Sequence, residues 1–329
     1  MTNVAYMGWL GHKNIGDEAC FDAIRGMMPK TVTWTTWNAG NFPHTKLPDL
    51  CILGGGTLLE VRQDVRGRGL LDLVNKGVPL VVWGTGVMPL RGPAVSMMHP
   101  DMLALLNKAK FVGVRGPISQ NNLDISGFSG AHIIGDPALL LSTKKKKVGN
   151  KSKIIGINIG DTHGNLFGTS QHVVEQAIKL VYRIRKAGFT PILFPVWPQD
   201  IPVLKQVQKV IEVSIAPFSE TAFNLIDFMK DCYCIVGLKL HAVVLSAAAE
   251  VPFISWGYRE KCFDFVKSIE LDEWVIRSDN QNLTDLSMNL LDTLKHKYSY
   301  VSKIIVNNID TYRLKHITLS KLSESILCK

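Results

Sequence analysis

Short apolar runs, each stopped by a glycine, constrain this chain more than any other feature. Residues 49–53 run into Gly54-Gly55-Gly56, and residues 79–83 into Gly84-Thr85-Gly86. Residues 111–114 stop at Arg115-Gly116, and 131–134 at Gly135-Asp136-Pro137. Residues 4–10 and the β-former-rich segment 31–37 supply two more strand candidates. Apolar residues fill consecutive rather than alternate positions, the pattern of parallel strands covered on both faces. Helical patterns such as 17–28 lie between the runs, so strand, loop and helix recur in order. That order predicts right-handed βαβ crossovers and a doubly wound sheet. The glycines gather where strands end, the edge at which open α/β sheets bind ligands.

The pattern breaks at residues 143–153, where Lys144, Lys145, Lys146, Lys147, Lys151 and Lys153 crowd together. It then resumes, with strands at 154–159, 190–194, 232–236 and 252–255, a helix at 171–187, and a mainly helical tail from about 283. A length of 329 residues suits two domains at roughly 100–200 residues each. The expected organisation is an N-terminal Rossmann-like domain over 1–142, a lysine-rich linker over 143–153, and a C-terminal Rossmann-like domain over 154–329 that carries the helical tail. Two doubly wound α/β halves facing a cleft make the GT-B architecture.

Charge narrows the partners. Six lysines of the one stretch account for two-thirds of the formal net charge of +9. A nucleic-acid-binding face would spread its cations and interleave aromatics; a solvated linker accounts better for this run, and no nucleic-acid partner is expected. Weak attraction to an anionic membrane surface stays open, as peripheral contact at most. No apolar run reaches the ~18 residues of a membrane span, and the N-terminus lacks a signal-peptide pattern. The expectation is a soluble cytoplasmic protein, free or at the inner face of the membrane. The six cysteines form no C-x-x-C pair and read as reduced buried thiols. Cys232 and Cys234, two apart on one strand, suit a packed core or a metal pair; no metal is expected.

Four segments carry residues suited to chemistry. Gly11-His12-Lys13-Asn14-Ile15-Gly16-Asp17-Glu18 joins a strand to a helix whose first N–H groups have no internal partner. Asp17 can cap that helix, and the acidic pair suits its positive end. The other reading is that Asn14, Asp17 or Glu18 contacts a sugar hydroxyl or accepts its proton. The glycine spacing does not match G-x-G-x-x-G. Gly54, Gly55 and Gly56 lose much backbone entropy on ordering, which fits tight helix–sheet packing or N–H groups converging on an anion. Gly84 and Gly86 repeat the arrangement one strand later. Arg115, at a strand end, is placed for a surface ion pair or for gripping a carboxylate or phosphate with its planar fork.

The fourth segment is the strongest. Lys239-Leu240-His241 precedes the small, apolar run 242–249, which reads as a buried helix. Cations at the positive end of a helix are unfavourable by roughly 0.3–1 kcal/mol each, and a bound anion reverses that. His241 also suits the core, the usual place of a lone histidine, although Lys239 beside it argues against that. Tyr258-Arg259-Glu260-Lys261 follows the next strand end with two more cations, which either pair with Glu260 and Asp264 or help to enclose a small polyanion.

Taken in order, these motifs resemble the polysaccharide pyruvyl transferase family. The resemblance runs from the N-terminus to about Phe265 and rests on Asn14-Ile15-Gly16-Asp17-Glu18, Leu53-Gly54-Gly55-Gly56, Trp83-Gly84-Thr85-Gly86, Val114-Arg115, Gly135-Asp136-Pro137-Ala138, Lys239-Leu240-His241 and Tyr258 to Lys261. It implies transfer of a pyruvyl group from phosphoenolpyruvate, a co-substrate rather than a cofactor, to two hydroxyls of a sugar, with lipid-linked, polymeric and nucleotide-sugar acceptors all open. It implies Arg115, His241 and Lys261 as the grip on phosphoenolpyruvate, and the Asp17 region as the acceptor side. Lys239 stands where the family usually has arginine, which keeps the charge and loses the bidentate fork. The implied chemistry needs a proton donor and a proton acceptor. His241 fits the first, because its ordinary pKa of ~6.5 gives both protonation states near neutrality; Asp17 is the candidate for the second.

Two other functions share these features. A glycosyltransferase with a nucleotide-sugar donor would use the same cations on a diphosphate, and a non-catalytic glycan-binding protein would keep the fold alone. Fold does not separate them.

Overall fold

A computed structural model describes residues 2–38, 42, 46–59, 65–87 and 99–328. The chain divides into two units. Met1–His12, Asp17–Ala138 and Thr311–Lys329 form the first; Lys13–Gly16 and Leu139–Asp310 form the second.

In the first unit β1 (Asn3–Met7) leads to α1 (Ile15–Met27), β2 (Thr33–Trp37), β3 (Leu50–Leu53), α2 (Val65–Asn75), β4 (Leu80–Thr85), α3 (Pro100–Lys108), β5 (Phe111–Val114), α4 (Pro117–Ile125) and β6 (Ala131–Ile133). The sheet order is β2-β1-β3-β4-β5-β6, and every neighbouring pair is parallel. β3 and β4 are buried at every position, because alternate residues feed two cores. Ala5, Met7, Cys51, Leu53, Leu80 and Val82 pack on one face. Val4, Tyr6, Leu50, Ile52, Val81 and Trp83 pack on the other. Consecutive apolar residues are thus the mark of a sheet with two covered faces.

The second unit repeats the plan with β7 (Ile154–Asn158), α5 (Ser170–Lys186), β8 (Thr190–Leu193), α6 (Ile201–Val210), β9 (Ser214–Ile215), α7 (Ala222–Lys230), β10 (Cys232–Gly237), α8 (Leu240–Ala248), β11 (Phe253–Gly257), α9 (Glu260–Ser268), β12 (Val275–Arg277) and α10 (Leu283–Leu327). Its sheet, β12-β11-β10-β7-β8-β9, is again parallel throughout. The doubly wound α/β reading therefore holds in both units. Cys232 and Cys234 are buried in β10; burial pushes the Cys232 thiol up to about 12 and the Cys234 thiol higher still.

Two segments lie differently from the division read in the sequence. The end of α10, from Thr311, belongs to the first unit. There the His316 ring accepts a hydrogen bond from Trp83 Nε1 at 2.7 Å, Ser320 Oγ donates to the Met27 carbonyl at 2.6 Å, and Leu319 joins the core beneath Val81 and Trp83. The lysine-rich stretch is fastened to the second unit: Lys145 pairs with Asp231, Lys147 donates to Ser302 Oγ at 2.8 Å, and Lys230 Nζ donates to the Thr143 and Lys145 carbonyls. Among the described residues no helix is long and apolar enough to cross a membrane.

Candidate active site

The second sheet reverses its strand order between β7 and β10, the place where such sheets leave a crevice at their carboxyl ends. Asn158 closes β7 there. Its Nδ2 donates to the Phe194 carbonyl at 3.0 Å, and its Oδ1 accepts the Lys239 N–H at 3.1 Å. Lys239, thus pinned by its backbone, is the N-cap of α8 with φ −70° and ψ 140°, and His241 lies in the first helical turn. The next strand delivers a second helix start: Arg259 is the N-cap of α9 and Lys261 lies in its first turn. Four basic side chains therefore stand at two positive helix ends, an arrangement that favours an anion.

The Lys239 side chain has a built environment. Its Nζ donates to the Asp161 carbonyl, lies 3.6 Å from Asp200 Oδ1, and faces the rings of Trp197 and Tyr258 at 5.6 and 6.0 Å. Asp200 is fully buried, and its Oδ2 accepts the N–H groups of Val196 and Trp197 at 3.1 Å each. Burial pushes the Asp200 carboxyl above the usual carboxylate range, while Lys239 and the two amides oppose the shift. Lys261 Nζ lies 5.1 Å from the centre of the same Tyr258 ring, whose hydroxyl is held well above its ordinary pKa by burial.

Residues 13–16 belong to this unit as well. Asn14 Oδ1 accepts the Gly16 N–H at 3.1 Å, and the Ile15 N–H donates to the Val196 carbonyl at 3.3 Å. α1 begins at Ile15, so Asn14 rather than Asp17 stands at the cap; Asp17 and Glu18 lie in the first turn. Gly16 faces the imidazole of His241, and a Cβ on it would stand 1.9 Å from Nδ1.

In the first unit the order reverses between β1 and β3. The glycines after β3 are there for close packing. A Cβ on Gly54 would lie 2.0 Å from the Tyr6 hydroxyl oxygen, and one on Gly55 2.4 Å from Cys20 Sγ. Gly56 adopts φ +98° and Gly84 φ +73°, both in the left-handed region that favours glycine. Asp17 Oδ1 faces Gly56, 2.9 Å from where a Cβ would be, while Glu18 Oε1 accepts the Gly11 N–H at 2.7 Å.

Arg115 is enclosed. Neither it nor Asp136 is exposed, and its Nε donates to Asp136 Oδ2 at 3.1 Å. Nη2 donates to the Gly56 carbonyl and lies 3.4 Å from Thr57 Oγ1, and its neighbour Gly86 has room for no Cβ. Nη1 alone has no hydrogen-bond partner among the described residues. The guanidinium thus ties the loops after β3, β4 and β6 together.

The sequence assigns no role to Asn158 or Asp200, and shows Asp136 only within the Gly135-Asp136-Pro137-Ala138 motif, with no sign of its pairing to Arg115. Asn158, a polar residue closing an apolar strand, and Asp200, three residues after Trp197 at a helix start, each carried a faint signal.

Two Rossmann-type parallel sheets, with basic residues at helix starts where the second sheet reverses, define a two-domain α/β protein of the GT-B class. The chain belongs to the polysaccharide pyruvyl transferase family, whose model matches residues 13–260. Solved structures of similar fold include MnaA from S. aureus with UDP, at 13% identity and a TM-score of 0.58 over 97% of this chain and 98% of that one. UDP-GlcNAc 2-epimerase from Neisseria meningitidis, bound to UDP-GlcNAc, aligns at 11% identity and a TM-score of 0.57 over 94% and 100%. The glycotransferase of kitacinnamycin aligns at 12% identity and 0.60 over 99% of both chains. No curated protein matches the sequence.

Proposed function

We propose that this chain transfers the pyruvyl group of phosphoenolpyruvate to two hydroxyls of a sugar, leaving a cyclic ketal and inorganic phosphate. Family membership supports the reaction class. The observation that carries the site is Lys239 and His241 opening α8 at the strand-order reversal of the second sheet, with Lys261 opening α9 beside the same tyrosine ring.

In this reading the two ammonium groups and the helix N-termini hold the phosphate and carboxylate of the donor. His241 gives a proton to the methylene carbon, which becomes the methyl group. One sugar hydroxyl attacks the resulting oxocarbenium-like carbon. The second hydroxyl displaces phosphate at the same carbon. Two hydroxyl protons balance the account: one restores His241 and one leaves with phosphate. Asp17, beside Glu18 in the first turn of α1 and three residues after Asn14, is the proposed acceptor of a hydroxyl proton. Arg115 orders the Gly54–Gly55–Gly56 loop from within the first unit.

The deciding experiment is incubation with phosphoenolpyruvate and candidate sugar acceptors, lipid-linked and polymeric. Phosphate released one-for-one with ketal supports the proposal. Consumption of a nucleotide sugar alone makes the chain a glycosyltransferase, and glycan binding without turnover of either donor makes it a binding protein.

A further inference from the structure

Asp200 is a charge that no ligand can touch. It is fully buried, and its Oδ2 is held by two backbone amides. Its Oδ1 makes no hydrogen bond among the described residues and looks toward Lys239 Nζ at 3.6 Å. Gly160 closes the other side so tightly that a Cβ there would stand 1.8 Å from Oδ1. The carboxylate therefore has one fixed orientation, and what it can influence is the ammonium in front of it.

That ammonium is equally constrained. The Lys239 side chain is only 13% exposed. The Asp161 carbonyl, the Trp197 and Tyr258 rings and the Asp200 carboxylate surround its Nζ. Such a space suits a compact point charge with three donors. A guanidinium is broader, planar and spreads five donors in a fork, so it would not reproduce the ammonium's contacts with the Asp161 carbonyl and the Asp200 carboxylate.

We propose that Asp200 is a positioning residue that fixes Lys239 as the working cation of the donor site, in a seat matched to an ammonium. This rests on the pyruvyl-transfer reading, which makes the donor a small polyanion. Lysine at position 239 is then a requirement of its surroundings rather than a weakened arginine. An anion meets a side chain already ordered, so less freedom is lost on binding.

The test combines two measurements on the full chain. Calorimetric binding of phosphoenolpyruvate, with KM and kcat, is compared for the natural protein, Asp200→Asn and Lys239→Arg. Unfolding in denaturant is compared for Asp200→Asn, Lys239→Met and the double variant. The expectation is that Asp200→Asn and Lys239→Arg each weaken binding and raise KM about tenfold, with kcat within about threefold; a merely structural defect would lower kcat through the active fraction and leave KM alone. The unfolding constants of the single variants should fail to multiply by at least about fivefold. Multiplicative unfolding constants, or wild-type affinity in Lys239→Arg, overturn the proposal. A natural protein that binds no phosphoenolpyruvate removes the donor reading instead, and the unfolding cycle still decides whether Asp200 holds Lys239.

Discussion

The Cα of Gly16 lies against the imidazole of His241, with no room for even a methyl group between them. A glycine in the first turn of a helix has the entropic disadvantage of any helical glycine. What keeps it there is the ring. Gly16→Ala would ordinarily stabilise a helix by about 0.5–1 kcal/mol. In this protein it is expected to destabilise, or to leave stability unchanged and turn the ring away, with turnover falling at least about tenfold. Unfolding curves beside turnover with phosphoenolpyruvate check this; a stabilised, fully active variant refutes it.

Removing the chemistry at α8 and α9 should separate function from folding. His241→Ala is expected to lower turnover by about 10²–10⁴, and Lys261→Ala to weaken donor binding. Both should unfold at nearly the natural temperature, since both side chains are only part-buried. Equal loss of folded protein in the two would instead make these residues structural.

The Arg115–Asp136 pair is buried on both sides. Truncating one member strands the other's charge, which costs about 3–5 kcal/mol in such settings. Arg115→Met is therefore expected to lower the denaturant midpoint strongly. Arg115→Met combined with Asp136→Asn should recover part of the loss, because no bare charge remains. A double variant less stable than Arg115→Met would show that the ion pair is not what Asp136 is for.

Much of the sheet was legible because parallel strands are buried along their whole length. β5 was read at Phe111–Val114 and β10 within one residue of its end. β9 and β12 were not, being edge strands of two and three residues with too little apolar sequence to show. The helix-start positions of Lys239 and His241 followed from the small-residue run behind them. The enclosure of Arg115 did not, because Asp136 and Gly56 come to it from 21 and 59 residues away. The return of residues 311–329 to the first unit was hidden for the same reason: His316 meets Trp83 across 233 positions of sequence.

His316 also gives a pH dependence. Burial lowers its pKa from 6.5 to about 4, with Asp136 opposing the shift and Lys315 adding to it. Between those values the unfolded chain binds a proton that the folded one does not, so stability rises with pH from about 4 to about 6.5 and is flat above. The whole span is worth on the order of 3 kcal/mol. His316→Gln, which keeps an acceptor for the Trp83 indole, should lose visibly less stability than the natural protein on acidification from pH 6.5 to pH 4. Parallel curves for the two would place the acid sensitivity elsewhere.

Because Leu319 and His316 complete the layer over Val81 and Trp83, the first unit, synthesised ahead of the second, is finished only after it. All of residues 139–310 must be synthesised before the closing segment arrives. Through that interval the nascent N-terminal sheet carries an apolar face that α1 covers only in part. A chain stopped short of Thr311 would keep the part over Val81 and Trp83 exposed, making it a natural target for chaperones and for quality control.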